Sequence, residues 1–321
     1  LTAGGALNVG IQGQGTIEAS GGARIESTGG VIDSNGTQTG VVDLTGSGTR
    51  WDSSGNLDVG QDGKGSLTIE AGAVVTSVKG QVAVNNGSEG TVDIDGSGTA
   101  WNASGDLRLG FGGTATVQVT GGATLSSDQN VFVGDGGTGE GTVTVSGANS
   151  TLSGTTLVVG YFGQGDVDVQ NQGQLDTTNG YIGYYGNAGS DVDTVALTGS
   201  GSRWQNSGSM IVGRQGAASL SVGSGSQVDT NTMDVGQSVQ GTLTVGGTAN
   251  VTGALTLGGT GGTGDATVTG QLNTGSLVVG NAGTGSLLVE NGGTVDNGLA
   301  IMANASGTNA VATVRGSGST W

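Results

Sequence analysis

A four-residue phrase, apolar-x-apolar-Gly, returns along this chain at a fixed interval. It reads Leu7-Asn8-Val9-Gly10, Leu57-Asp58-Val59-Gly60, Leu107-Arg108-Leu109-Gly110 and Leu157-Val158-Val159-Gly160, so its glycines stand 50 residues apart. The next copy is Met210-Ile211-Val212-Gly213. Each long repeat holds two coils: Val131-Phe132-Val133-Gly134 falls midway between Gly110 and Gly160, and Tyr181-Ile182-Gly183 follows Gly160 in the same way. Beyond Gly213 only the short period survives, with Gly236, Gly258 and Gly280 spaced by 23, 22 and 22 residues. A fixed period of this length marks a solenoid, in which each repeat buries its apolar face against its neighbours.

Coils of 22–26 residues made of Gly, Thr, Ser and Val disfavour helical hairpins and favour strands and turns. Runs such as Leu67-Thr68-Ile69, Val143-Thr144-Val145 and Leu243-Thr244-Val245 alternate with the period of half-buried strands. Leucine-rich repeats have similar periods, but their Leu and Asn pattern is missing. The expected fold is therefore all-β, a parallel β-helix of about 13 coils, roughly 60 Å long at ~4.8 Å per strand. Val, Leu and Ile point inward, Thr, Ser, Asp and Gln outward, and glycines take the positive-φ corners. Residues 1–321 read as one continuous array. Long two-coil repeats cover 1–213 and 270–321, and a shorter-coil, irregular section covers 214–269. An apolar share of 33% suits the narrow core of such a rod.

The long repeat has its own ending. Gly46-Ser47-Gly48-Thr49-Arg50-Trp51 matches Gly96-Ser97-Gly98-Thr99-Ala100-Trp101, Gly199-Ser200-Gly201-Ser202-Arg203-Trp204 and Gly316-Ser317-Gly318-Ser319-Thr320-Trp321. All four Trp share this slot, and in the third repeat Leu152 takes it. Leu can replace a packed ring but not a sugar-stacking platform, so the slot reads as packing at one corner of the rod. Arg50 and Arg203 precede two of the Trp, but Ala100 and Thr320 stand there elsewhere, so stacking of Arg on the ring is dispensable.

Charge and composition exclude several functions. The net charge is −17 with 8 Lys and Arg, so there is no basic patch for nucleic acid or an anionic membrane. The chain has no Cys and no His, which removes disulfides, Cys nucleophiles and His general bases. Lack of Cys suits a protein that stays unfolded during export. No apolar run of about 18 residues exists, so no direct membrane insertion as a helix is expected. No signal peptide is visible, and neither end carries a polar capping unit; both fit a slice of a longer array, or a subunit stacking end to end.

The pattern Leu-x-Val-Gly-x-x-Gly-x-Gly, a strand, Gly-Gly, and a closing Gly-Ser-Gly-Ser/Thr-x-Trp resembles the repeats of type V secretion autotransporter passengers, also found in PEP-CTERM-associated proteins. The match is cleanest over 1–213 and 270–321; the section 214–269 keeps the coil phrase and loses the Trp ending. The resemblance implies a right-handed β-helix, displayed on or released from the surface of a Gram-negative bacterium through an outer-membrane β-barrel. It further implies roles in adhesion, self-association or biofilm. It says little about activity.

One cluster stands out as a candidate binding patch: Tyr161, Phe162, Tyr181, Tyr184 and Tyr185, one coil apart, hold all four Tyr of the chain. Tyr is enriched at recognition surfaces, and the competing reading is a local ladder that seals the coil. Asp135-Gly136-Gly137-Thr138-Gly139-Glu140 faintly resembles a calcium nonapeptide, but one imperfect copy lacks the ligand number calcium needs, and Gly-rich turns account for it. Asp166, Asp168, Asp191 and Asp193 read as a solvated acidic face. No cofactor is expected. Carbohydrate cleavage needs two positioned carboxylates and a cleft, and no coil carries an inserted loop to wall one. Outward Thr pairs such as Thr142 and Thr144 raise ice binding, but Glu18, Asp93, Gln118 and Asp168 interrupt the row. The expected function is non-enzymatic: adhesion, with partners that are copies of the chain itself, an extracellular glycan, or a host or matrix surface. A filament built through uncapped ends is the alternative, and a polysaccharide-degrading enzyme a distant third.

Overall fold

A computed structural model describes residues 1–33, 38–186 and 191–321. The chain folds as a parallel β-helix: the described residues contain strands and turns with no helix, and their strand pairings are parallel. It divides into two compact units, Leu1–Leu157 with Tyr161–Val167, and Val158–Gly160 with Asp168–Trp321.

A coil of the first unit is three strands. Leu57–Val59 comes first, then the long Lys64–Glu70, then Val74–Ser77. The next coil repeats them as Gly80–Val82, Glu89–Asp95 and Ala100–Ala103. Each strand pairs with its counterpart one coil away, so Leu67 lies beside Val92, Leu57 beside Gly80 and Val75 beside Trp101. Alternation then does the sorting, since successive side chains on a strand leave by opposite faces. Val42, Leu67, Val92, Val117 and Val143 form one buried inward stack, and Leu44, Ile69, Ile94, Val119 and Val145 form the next.

The second unit is built the same way. Its long strands are Asp193–Thr198, Ala218–Val222, Gln240–Val245, Thr263–Val268, Thr284–Val289 and Asn309–Val314. Val195, Leu220, Leu243, Ala266 and Leu287 continue in register as an inward stack. The two shorter strands of a coil are fused into one at Gln174–Ile182 and again from Thr248–Leu257 onward, with a register shift between Val251 and Ala254 where the latter meets Gln271–Val279. Each fully buried Val or Leu contributes about 1.5–3 kcal/mol.

Gly60 and Gly110 close the repeated phrase at φ +72 and +77. A Cβ at either would strike a backbone carbonyl of the next coil, Glu89 O or Glu140 O. The phrase therefore ends in Gly for conformation and for clearance together.

Candidate functional site

The Trp slot is core. Trp51, Trp101 and Trp204 are wholly buried and Leu152 nearly so, whereas Trp321, in the last coil, is 43% exposed. The slot runs in register through Ile25, Trp51, Val75, Trp101, Leu125 and Leu152 in the first unit. The first short strand of the same coil makes room for the ring. Gly30, Gly80 and Gly180 sit where a Cβ would come within 2.5 Å of Cζ2 of Trp51, Trp101 and Trp204 respectively. In the same register position the coil of Leu152 carries Val131 in place of Gly. Glycine thus accompanies the large ring, and valine the smaller side chain.

Each indole is also satisfied. Trp51 Nε1 donates to Ser27 Oγ at 2.9 Å, Trp101 Nε1 to Ser77 Oγ at 3.0 Å and Trp204 Nε1 to Thr177 Oγ1 at 2.9 Å. The hydroxyl two residues before the slot clamps adjacent coils. Thr49 donates to Thr45 O at 2.9 Å and accepts from Gly22 N at 3.1 Å; Thr99 does the same with Asp95 O and Gly72 N, each at 2.8 Å. Gly46, Gly48, Gly96 and Gly98 take positive φ, so every position of the Gly-Ser-Gly-Thr-x-Trp ending apart from its Ser and x has a physical task. The sequence showed the ending but not its partners. The signal was present, because the coil phrase opens with Gly at Gly30, Gly80 and Gly180 where other coils have Leu.

The five residues of the aromatic patch fall into two groups, one in each unit. In the first unit Tyr161 meets Phe132 edge to face at 5.4 Å and Phe162 at 4.7 Å between ring centroids. Arg108 lies over the Phe132 and Phe111 rings at 5.4 and 5.0 Å and pairs with buried Asp135 at 2.9 Å. In the second unit Tyr184 packs edge to face on Tyr181 at 5.2 Å and on Tyr185 at 4.9 Å, and Arg214 lies over Tyr184 at 4.1 Å. In both groups a turn folds back over an outward aromatic of a short strand. Most of these rings are half-buried; Phe162 is 45% exposed. This geometry suits a sealing role and leaves Phe162 as the accessible ring.

Asp135, the head of the faint calcium motif, is engaged by Arg108, and burial raises its carboxyl pKa against that attraction. Among the described residues no three His, Cys, Asp or Glu are grouped to hold a metal ion. Burial pushes Asp58 up to about 6, and raises Asp93, Asp176 and Asp234 as well. Asp229 is also opposed by burial, but hydrogen bonds from Asn250, Gln227 and Arg203 with the Arg203 charge hold it below the ordinary range.

The outward faces of the long strands differ between units. In the first, Glu18, Asp43 and Asp93 stand mid-strand, with Glu70, Asp95, Glu89 and Glu140 at the strand ends. In the second, Asp168 is outward, and from Asp193–Thr198 onward the central outward rows are Thr194, Ser219, Thr242, Asp265, Ser286, Val311 and Ala196, Ser221, Thr244, Thr267, Leu288, Thr313. Among the described residues Asp265 is the one charge in those two rows. No helix among the described residues is long and apolar enough to cross a membrane. No family model, curated protein or solved structure matches the chain.

Proposed function

We propose that this chain is a non-enzymatic β-helix, secreted or displayed on a cell surface, that works in adhesion by associating with copies of itself. The observation that carries the reading is the nearly uncharged strand face of the second unit from Asp193–Thr198 onward, in a chain of net charge −17. Copies of so acidic a protein repel over most of their surface, and that repulsion is weakest where this face meets its equal. Ser and Thr hydroxyls at ~4.8 Å intervals offer donors and acceptors to an identical array. Each contact is weak, and display of many rods on one surface multiplies them. The repeat resemblance supports the setting: an autotransporter-like passenger on a Gram-negative surface or in a biofilm matrix.

Sedimentation velocity across a concentration series, at low and moderate salt, tests the reading. Reversible side-by-side dimers that strengthen with salt are expected. A monomer at every concentration and salt overturns it, and filaments seen by electron microscopy in place of dimers favour end stacking.

A further inference from the structure

A second surface of the second unit has the chemistry of a ligand site. Along Gln174–Ile182, Arg203–Asn206, Gln227–Thr230 and Thr248–Leu257 a groove of about 630 Å³ opens, lined by Asp176, Gln205, Asp229, Asn231 and Thr252 among others. A further stretch of about 410 Å³ continues from Thr252 past Asn250, Asn273 and Asp296. Both volumes lie within the usual range of about 300–1,000 Å³ for small-molecule sites. The equivalent groove in the first unit measures about 310 Å³ and takes Val78 and Ala103 into its lining.

One ladder in strict register walls both stretches: Asp176, Gln205 and Asp229 in the larger, then Asn250, Asn273 and Asp296 in the smaller. Its side chains hold one another. Asn273 Nδ2 donates to Asn250 Oδ1 at 2.7 Å, and Asn250 Nδ2 donates to Asp229 Oδ1 at 2.7 Å. Arg203 closes on the other oxygen of Asp229 at 2.7 Å. The floor is equally fixed: Thr177 donates to Asn206 Oδ1 and Asn206 Nδ2 to Thr230 Oγ1, each at 2.9 Å. Groups immobilised in advance lose little entropy when a ligand arrives. Gln205, Ser207, Asn231 and Thr252 form the exposed rim.

We infer that this groove binds a linear, uncharged oligosaccharide. Amides, hydroxyls and carboxylates supply closely interleaved donors and acceptors, the complement of vicinal sugar hydroxyls. Three carboxylates and no free basic group in the lining repel sulfated or uronic chains and nucleic acid. Every residue lining the larger groove is Asp, Asn, Gln, Ser or Thr, with no aliphatic or aromatic residue to receive a hydrophobic side chain, which disfavours a peptide. The ladder advances one coil, ~4.8 Å, per rung, so a polymer running along it meets the same chemistry at successive rings and gains by repetition. The inference does not rest on self-association, since the site needs no second copy.

Isothermal titration of the whole chain with cellohexaose, laminarihexaose, chitohexaose and a heparin-derived hexamer tests it. At least one neutral hexamer binds, the heparin hexamer does not, and the rim variant Gln205→Ala/Asn231→Ala/Thr252→Ala loses at least about tenfold in affinity. Asp128→Ala, on the first unit's smaller groove, leaves binding unchanged. Circular dichroism confirms that the rim variant keeps its strand content. Absence of binding by every neutral hexamer, preference for heparin, or undiminished binding by the folded rim variant overturns the inference. Sedimentation of the same samples reads self-association separately.

Discussion

The two units share an interior and differ in what they show to solvent. Both stack Val, Leu and Ile inward in register, and both seat a Trp against a glycine of an earlier short strand. Outside, the first unit's long strands are studded with carboxylates and the Lys64–Glu89 pair at 2.6 Å, whereas the second presents Ser, Thr and Ala around Asp265. The core requires outward residues that tolerate water, and it is indifferent to their charge. A difference that persists coil after coil on one face is therefore where function is to be sought.

If the interiors are equivalent, Trp101→Ala and Trp204→Ala each cost about 3–5 kcal/mol in urea unfolding. A gap between them well beyond ~1 kcal/mol breaks the equivalence. The next effect concerns the glycine. Gly80→Val alone drives a side chain into the Trp101 ring and costs about 1–3 kcal/mol. Paired with Trp101→Leu it reproduces the natural Val131 and Leu152 combination, so the double variant is more stable than the sum of its parts by more than ~0.5 kcal/mol. Strict additivity in a double-mutant cycle refutes that complementarity.

The outer difference is addressed by charge. Ser221→Asp/Thr244→Asp in the second unit weakens self-association at least about tenfold, ~1.4 kcal/mol, while Thr68→Asp in the already acidic first unit changes it little. Equal effects in sedimentation would erase the contrast. The smallest effect is a pH dependence at Asp58 in the first unit. Asp58 sits between uncharged Val31 and Gln81 with its pKa raised to about 6. Below about pH 4 it is protonated folded or unfolded, and the burial penalty is absent. The penalty grows as pH rises towards about 6 and is complete above that. Asp58→Asn therefore stabilises the fold at pH 7 by on the order of 1 kcal/mol, after allowance for solvent screening, and flattens the slope of melting temperature between pH 4 and 6.

The fold was legible because period and alternation are local. Leu67-Thr68-Ile69 declares an inward pair by itself, and Leu152 in the Trp slot revealed that the slot is packed. Clearance was harder to read. Gly30, Gly80 and Gly180 look like turn residues, yet they lie in extended strand and are absent from the positive-φ positions; their reason is a ring some twenty residues later. The aromatic cluster was found by composition, but whether Tyr161 or Tyr184 lies open or folded back depends on how a turn returns over its strand. The groove was invisible, because Asp176, Gln205 and Asp229 meet only once the coils are stacked and bent.

The matching of ring to glycine also bears on how such a β-helix is assembled. A growing first unit that slips by one coil sets an indole against the Leu57 or Leu107 slot, where no room exists. A slip by two coils that brings Trp51 to Gly80 or Trp101 to Gly30 finds another glycine and passes unnoticed. The interior of this unit thus carries a parity check on its own register, blind to that even error, and at Val131 and Leu152 the check is written in different letters, which fixes where the count begins.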